Sequence, residues 1–373
     1  MKKLISFLIL ILVISCFQKK ETLMIDENNF SGTLKGKEIN LYTLRNEKGI
    51  VAQITNLGGR VVSLLVPDKK GQMKDIVLGY KTLEGFQNSN EVYFGALIGR
   101  YGNRINKGRF DLKGKEYKLP PNDGHNHLHG GTQGFHNIIW NPKKIDEQTL
   151  RLTYLSEDGE MGYPGNLKVE VIYKLTNDNQ LKINYQAKTD KTTIINLTHH
   201  SFFNLNGAGN GKITDHILQI NADKFTPINS SLIPTGQIQE VQDTPFDFTK
   251  PTAIGKKINN EHQQLKYGKG YDHNWVLNDW NGQNRQVASI YSPSSGIKME
   301  VFTNEPGMQF YSGNFLDGSD TGKQGKVYKY RTAFCLETQH FPDGPNHDNF
   351  PSTVLKPGEK YYSTCSYKFS IAE

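Results

Sequence analysis

The amino-acid sequence predicts an all-β fold, a large antiparallel β-sandwich with few and short helices. Glycine occurs 36 times, and 18 tyrosines and 19 phenylalanines add a high aromatic content, a composition that favours short strands and tight turns. Alternating or β-branched apolar runs recur along the chain, whereas helical periodicity is scarce. Many strands and few helices over about 340 residues imply two large antiparallel sheets packed face to face.

The overall composition excludes several classes of protein. The 373 residues are 36% hydrophobic and 22% charged, which is too rich in core-forming residues for a disordered chain. A mean hydropathy of −0.58 excludes a polytopic membrane protein. The net charge of +7 is scattered without a dense basic run or a nucleic-acid-binding motif. We therefore expect no nucleic-acid partner, and the sequence does not reveal the oligomeric state.

The amino-terminal segment has the features of an export signal. Two lysines precede an apolar run over residues 4–14, which is shorter than the roughly 20 residues of a membrane-spanning helix. The run ends in Val-Ile-Ser-Cys at residues 13–16, which resembles the bacterial lipobox. We expect a lipoprotein signal peptide over 1–15, lipidation of Cys16, a tether over 16–33 and a single domain over 34–373, anchored to the cell envelope outside the cytoplasm. An ordinary secretory signal with a chance cysteine is the alternative.

The individual elements follow from local patterns. Segments 50–56 and 60–66 flank Leu-Gly-Gly and predict a hairpin, and segments 109–112 and 116–119 flank Lys-Gly-Lys in the same way. Further strands are predicted at 150–155, 167–175, 181–189, 193–197, 274–277, 287–291, 298–303, 308–311, 332–339 and 361–369. Short helices are predicted at 83–88 and 252–258.

Three local features have more than one interpretation. The glycine-rich segment 207–212 looks like a phosphate-binding loop but lacks the first glycine of that motif, so a surface turn is favoured. His125, His127 and His129 alternate and would share one face of a strand, as in a metal site, but no acidic or cysteine ligand is adjacent. Cys335 and Cys365 could form a disulfide or lie apart as small buried residues.

Polar residues inside apolar runs are the strongest candidates for chemistry, because burying them without a partner is costly. His199 and His200 lie in such a run over 194–205, and Glu337 lies in another over 334–340. On a strand, Glu337 shares a face with Cys335 and Gln339. A buried imidazole and a buried carboxyl group together predict an acid–base pair.

The chain resembles the aldose 1-epimerase (galactose mutarotase) family from about residue 34 to residue 370. The matching motifs, in family order, are TNLGG (55–59), GRYGNRI (99–105), LHGG (128–131), NLTHHSFFNL (196–205), TPFDF (244–248), GYDHN (270–274), PGMQFY (306–311) and LETQ (336–339). One short motif would be weak, but eight in order are specific. The resemblance implies a galactose-mutarotase-type β-sandwich that interconverts the α and β anomers of free hexoses such as galactose and glucose.

The resemblance also assigns roles to individual residues. It implies that Glu337 is the general base that takes the proton from the C1 hydroxyl, and that His200 is the general acid that protonates the ring oxygen. The positions that match sugar-binding residues of the family are Asn103, Arg104, His129, Asp272 and Gln309. A reaction of this kind needs neither a metal nor a redox cofactor, and its partner is a small aldose.

Two departures from the family pattern affect the expected pocket. His199 stands where the family often has asparagine, and Phe202 where it often has tyrosine; strand alternation predicts that His199 faces away from the site. Phe310 and Tyr271 could form walls for the sugar ring or belong to the core.

Three other functions remain as alternatives. One is a non-catalytic carbohydrate-binding lipoprotein on the same fold. Another is a glycoside hydrolase, which would use Asp272 and Glu337 as its carboxylate pair. The third is a relative that epimerises hexose phosphates, although the sequence shows no additional arginine cluster for the phosphate.

Overall fold

The structure is a computed structural model that describes residues 23–372. The predicted signal peptide and the predicted lipidation site, Cys16, lie outside the described residues. Within residues 23–372, no helix is both long enough and apolar enough to cross a membrane.

Strands dominate the described chain. In chain order they are β1 (Gly32–Leu34), β2 (Lys37–Ile39), β3 (Leu41–Arg45), β4 (Val51–Thr55), β5 (Val61–Pro67), β6 (Met73–Asp75), β7 (Ala96–Ile98), β8 (Arg104–Ile105), β9 (Arg109–Leu112), β10 (Lys115–Lys118), β11 (His127–Leu128), β12 (Asn141–Asp146), β13 (Thr149–Ser156), β14 (Leu167–Leu175), β15 (Gln180–Thr189), β16 (Thr193–Ile194), β17 (Thr198–His200), β18 (Ile217–Ile220), β19 (Lys224–Thr226), β20 (Gln239–Glu240), β21 (Thr252–Ala253), β22 (Asp272–Val276), β23 (Arg285–Tyr291), β24 (Ile297–Thr303), β25 (Gly307–Tyr311), β26 (Cys335–Gln339), β27 (Val354–Leu355) and β28 (Tyr361–Ile371).

Helices are few and short, as the sequence predicts. The α-helices are α1 (Leu83–Gln87) and α2 (Gln263–Gly268), and single 3-10 turns occupy Glu27–Phe30, Asn106–Gly108, Phe135–Asn137, Glu160–Gly162, Ile254–Lys256, Lys323–Gly325 and Gly344–Asn346.

Three antiparallel sheets form the body of the fold. The largest has nine strands in the order β12-β13-β14-β15-β28-β24-β23-β18-β21. A five-stranded sheet, β20-β19-β22-β25-β26, and a four-stranded sheet, β3-β4-β5-β6, contribute side chains to the same core as the nine-stranded sheet. The prediction of an antiparallel β-sandwich is confirmed, although its second layer is divided between two sheets.

Most predicted elements are confirmed, and one predicted helix is wrong. Strand β14 has the predicted bounds, and both predicted hairpins form, as β4–β5 and β9–β10. Segment 252–258 is instead the short strand β21 followed by a 3-10 turn, because residues 252 and 253 pair with β18. The short helix α2 was not predicted.

The packed part of the chain begins before residue 34, the predicted start of the domain. Ile25 is 7% exposed, and its backbone N–H donates to the side chain of Gln53 at 2.8 Å. Phe30 is fully buried and contacts the ring of Phe86. Because this burial removes apolar surface from water, residues 25–30 pack on the domain, and the tether predicted over 16–33 is too long at its carboxyl end.

Two strands from different parts of the chain position the candidate catalytic side chains. The short strand β17 pairs with β7, and β26 is the edge strand of the five-stranded sheet. In that sheet Glu337 on β26 lies opposite Gln309 on β25, and Asp272 is the first residue of β22, next to β25. The polar residues of β22, β25 and β26 therefore come together at one sheet edge.

Candidate active site

His200 and Glu337 meet although 137 positions separate their numbers. The imidazole Nε2 lies 3.5 Å from the carboxyl Oε1. Both residues are almost completely buried, at 6% and 2% exposure. Catalytic hydrogen bonds are often long in a site without its substrate, so this separation suits a pair that closes on a ligand. The predicted acid–base pair is therefore present as a geometric unit.

Aromatic rings and a thiol fix the orientation of the His200 imidazole. The rings of Tyr93 and Phe202 stand nearly parallel to it, with centroids 5.7 Å and 4.8 Å away. The Sγ of Cys335 lies 3.5 Å from Nδ1, which leaves Nε2 as the nitrogen that faces Glu337. Phe202 is fully buried, so its ring supports the imidazole, and this role does not need the hydroxyl of the family's tyrosine.

Burial moves the pKa values of the two groups in opposite directions. It lowers the pKa of His200 to about 3 and raises the pKa of Glu337 well above that of an ordinary carboxyl group, an effect that the negative charge of Asp272 reinforces. Between the two titrations the pair holds a single proton. One residue is then always able to accept a proton while the other is able to donate one.

His129 faces the same point from a strained turn. One ring nitrogen of His129, one ring nitrogen of His200 and one carboxyl oxygen of Glu337 all lie within 4.8 Å of one another. The backbone N–H of Asn103 donates to His129 Nδ1 at 3.1 Å, which places the hydrogen of the neutral ring on Nε2. Burial lowers the pKa of His129 well below its usual value. The ring is therefore a neutral hydrogen-bond donor toward the site.

A cluster of charged residues lies beside His129, His200 and Glu337. Arg104 pairs with Asp123 at 2.7 Å through Nε and lies 3.9 Å from Asp272 through a terminal nitrogen. Gln309 donates to Asp272 Oδ1 at 2.7 Å. Burial raises the pKa of Asp272, while the positive charge of Arg104 opposes that rise. The cluster combines a buried cation, Arg104, with a buried acceptor, Asp272, while the side chain of Asp123 is partly exposed to solvent.

Two buried acceptors in the site lack a partner within residues 23–372. They are the Oε2 of Glu337 and the Oε1 of Gln309, which lie on neighbouring strands. An unsatisfied buried polar atom costs about 1–3 kcal/mol, so such atoms require a ligand or water that can donate hydrogen bonds. Hydroxyl groups of a sugar supply such donors.

The structure brings together all seven residues that the sequence analysis assigned to the site. They are Asn103, Arg104, His129, His200, Asp272, Gln309 and Glu337. Asn103 acts on the backbone: its Oδ1 accepts from the N–H of Arg104 at 2.9 Å. In the described structure it therefore shapes the turn that carries Arg104 and His129.

The structure also decides the interpretations that the sequence left open for other residues. His199 faces the core, as predicted, with its Nε2 2.7 Å from Ser201 Oγ. Phe310 and Tyr271 are fully buried and stack on each other, so they belong to the core and do not form sugar walls. Cys335 and Cys365 are buried free thiols that form no disulfide.

The three alternating histidines do not form a common site. His125 is exposed, and His127 contacts the carbonyl oxygen of Pro120 at 2.7 Å through Nδ1. Of the three, only His129 lies beside His200 and Glu337. The three histidines do not share one face of a strand, because the strand β11 contains only His127 and Leu128 and so includes neither His125 nor His129.

Sequence reasoning missed two residues of the site. Tyr93 packs edge to face against His129 at 4.7 Å and stacks on His200, so it contacts both imidazoles. Asp123 holds the Arg104 guanidinium. Both residues lie outside the apolar runs, and only their long-range contacts distinguish them from surface residues.

We predict that Gly130→Ala destabilises the turn next to His129. Gly130 has a φ of +83°, and a Cβ there would lie 1.8 Å from the carbonyl oxygen of Gly99. We expect a loss of about 3 kcal/mol or more, measured by thermal or denaturant unfolding. Gly114→Ala is the matched control, because Gly114 has a φ of +77° with no atom near the added Cβ; it should cost only about 1 kcal/mol. Equal losses would contradict this explanation.

Comparison with known proteins agrees with the fold. The family model for aldose 1-epimerase matches residues 40–368. The chain is 46% identical to galactose mutarotase from Bos taurus over 319 residues, which are 86% of this chain and 91% of the relative. It is 36% identical to aldose 1-epimerase from Escherichia coli (strain K12), over 91% of this chain and 97% of the relative.

Solved structures show the same architecture. An aldose epimerase homologue from C. elegans superposes with a TM-score of 0.82 at 29% identity and covers 90% of this chain and 100% of its own. A galactose 1-epimerase from Lactobacillus acidophilus superposes with a TM-score of 0.79 at 30% identity and covers 92% and 97%. The sequence matches and the superpositions thus extend over nearly all of the described structure, and the chain belongs to the aldose 1-epimerase family.

Proposed function

We propose that the protein is an aldose 1-epimerase that interconverts the α and β anomers of free hexoses such as galactose and glucose. The observation that carries this proposal is the buried His200–Glu337 pair, with Nε2 and Oε1 3.5 Å apart. The names of the relatives, galactose mutarotase and aldose 1-epimerase, support the same reaction.

Ring opening moves two protons at opposite ends of the hemiacetal. Glu337 takes the proton from the C1 hydroxyl, the bond between C1 and the ring oxygen breaks, and His200 gives its Nε2 proton to that oxygen. The product is the open aldehyde, with a protonated Glu337 and a neutral His200. Rotation about the C1–C2 bond and the reverse transfers close the other anomer.

Burial sets the starting point of the opening step. Because burial raises the pKa of Glu337 and lowers that of His200, the proton of the unliganded pair resides on Glu337, and the carboxylate–imidazolium arrangement that opens the ring forms when this proton moves to Nε2 of His200. Each proton-transfer group of this kind typically contributes about 10²–10⁴ in rate. The reaction needs no redox cofactor, since the sugar is neither oxidised nor reduced.

The surrounding polar groups bind the sugar. Asp272 accepts hydrogen bonds from hydroxyl groups, and Gln309 holds this carboxylate while offering its own free Oε1. Arg104 and the Nε2–H of His129 donate to sugar oxygens and stabilise charge that develops there. Tyr93 offers an aromatic face.

Polarimetry tests the function directly. Freshly dissolved α-D-galactose or α-D-glucose should reach its equilibrium rotation faster with the protein than without it. A panel of common aldoses then gives the preferred substrate. No acceleration on any of them, with sugar binding retained, would favour the non-catalytic alternative, and release of reducing ends from a glycoside would favour a hydrolase.

We also propose that the enzyme is an exported lipoprotein that acts outside the cytoplasm. The support is the sequence of the first sixteen residues, with its two lysines, short apolar run and Cys16. A diacyl or triacyl anchor on Cys16 would bind membranes stably. In cells, the protein should fractionate with the envelope, and Cys16→Ser should not. Equal fractionation of the two forms would refute lipidation at Cys16.

A further inference from the structure

The thiol of Cys335 contacts the nitrogen of His200 that takes no part in proton transfer. Its Sγ lies 3.5 Å from Nδ1, and the residue is fully buried. Cys335 precedes Glu337 by two positions on β26, so the two side chains share one face of the strand. One short strand therefore supplies a contact to each of the two imidazole nitrogens.

Proton transfer at Nε2 requires that Nδ1 keep its hydrogen throughout. The imidazolium carries hydrogens on both nitrogens, and when Nε2 gives up its proton, the neutral ring that remains must keep its hydrogen on Nδ1. The partner of Nδ1 therefore has to accept a hydrogen bond both before and after the transfer. A thiol sulfur can accept such a bond, although weakly.

We propose that Cys335 is a positioning residue whose sulfur accepts the Nδ1–H of His200. This contact holds the neutral imidazole in the tautomer whose Nε2 lone pair faces Glu337 and the ring oxygen of the sugar. The inference rests on the proposed mutarotase function for its kinetic consequences, whereas the tautomer itself is a property of the unliganded protein.

A weak acceptor such as sulfur can hold the tautomer of His200 without strongly stabilising the imidazolium. A carboxylate at Nδ1, as in a serine-protease triad, strongly stabilises the imidazolium and so makes it a poorer acid. Burial raises the pKa of the Cys335 thiol, so the group stays uncharged and adds no such stabilisation. His200 then keeps its correct tautomer and still releases its proton readily to the ring oxygen.

Two substitutions separate hydrogen bonding from packing. Cys335→Val keeps an apolar side chain of similar size but cannot accept a hydrogen bond, while Cys335→Ser is smaller but can. We expect the valine variant to lose about tenfold in kcat with little change in KM, and the serine variant to stay within about threefold of the wild type. A valine variant with wild-type kcat, or a serine variant as impaired as the valine one, would overturn the proposal.

Cys365→Val is the matched control. Cys365 is also a buried free thiol, and it contacts Thr338, whose side chain points to the opposite face of β26 from Glu337. This variant should retain wild-type kcat. A loss equal to that of Cys335→Val would mean that any change of a buried thiol disturbs the sandwich, and it would refute a specific role for Cys335.

Nitrogen-15 NMR of the imidazole tests the tautomer without any activity measurement. In the unliganded wild type at neutral pH, the resonances that disappear in His200→Gln should show a protonated Nδ1 and an unprotonated Nε2. Protonation on Nε2 alone would overturn the proposal. If the wild type failed to accelerate mutarotation, the proposed function would fall, while this spectrum would still decide the tautomer.

Discussion

Glu337→Gln should lower kcat/KM for mutarotation by about 10²–10⁴ while leaving the fold intact. The amide has nearly the shape of the carboxyl group but cannot take the proton from the C1 hydroxyl. Glu337 is 2% exposed, and burial raises its pKa well above the usual value, so at neutral pH the native carboxyl group destabilises the unliganded fold, whereas an amide carries no such cost. We therefore expect the variant to melt at the wild-type temperature or above it, as measured by calorimetry beside polarimetry.

A matched substitution separates the loss of the base from a general loss of structure. Glu116→Gln changes a carboxylate that is paired with Arg109 on the exposed hairpin β9–β10. This control should keep wild-type activity. If Glu337→Gln retained more than a tenth of the activity, another group would be the base.

His200→Ala should lower kcat/KM for mutarotation about as much as Glu337→Gln does, and added imidazole should restore part of this activity. The substitution removes the acid but leaves the rings of Tyr93 and Phe202, whose centroids lie 5.7 Å and 4.8 Å from that of the native imidazole. A free imidazole molecule fits the vacated space and can transfer the proton. We expect the restored rate to saturate with imidazole concentration, as a binding event does.

Free imidazole also catalyses mutarotation in solution, so the rescue needs its own control. The same imidazole series with Glu337→Gln should show only the linear increase that comes from catalysis by imidazole in solution, because that variant has no vacated space beside Tyr93. A linear response with His200→Ala would contradict the assignment of His200 as the acid.

Local patterns in the sequence are sufficient to predict most of the fold. Strand β14 has alternate buried residues, so its bounds could be read from the period of the side chains. The prediction over 252–258 failed because Ile254 and Ile258 have the spacing of a helix, while pairing with β18 decides the structure of Thr252 and Ala253. Tertiary contacts override weak periodicity in such short segments.

The candidate site could be predicted only in part. The two buried polar residues His200 and Glu337 stood out inside apolar runs, and the resemblance supplied the sugar-binding positions. The contacts of Tyr93, Asp123 and Cys335 arise from segments far apart along the chain. No local pattern specifies such contacts, because they depend on how separate segments of the chain pack together.

The most direct test of the shared proton is the pH dependence of kcat/KM, measured by polarimetry with the spontaneous rate subtracted. Both groups are protonated at low pH, and neither is protonated at high pH. The active form, in which the pair holds one proton, therefore exists only at pH values between the pKa of His200 and the pKa of Glu337. Because burial lowers the pKa of His200 to about 3 and raises that of Glu337, we predict an acid limb well below pH 6.5 and an alkaline limb well above pH 4.5. Glu337→Gln should change this two-limbed profile, and a single limb that Glu337→Gln leaves unchanged would contradict the acid–base pair.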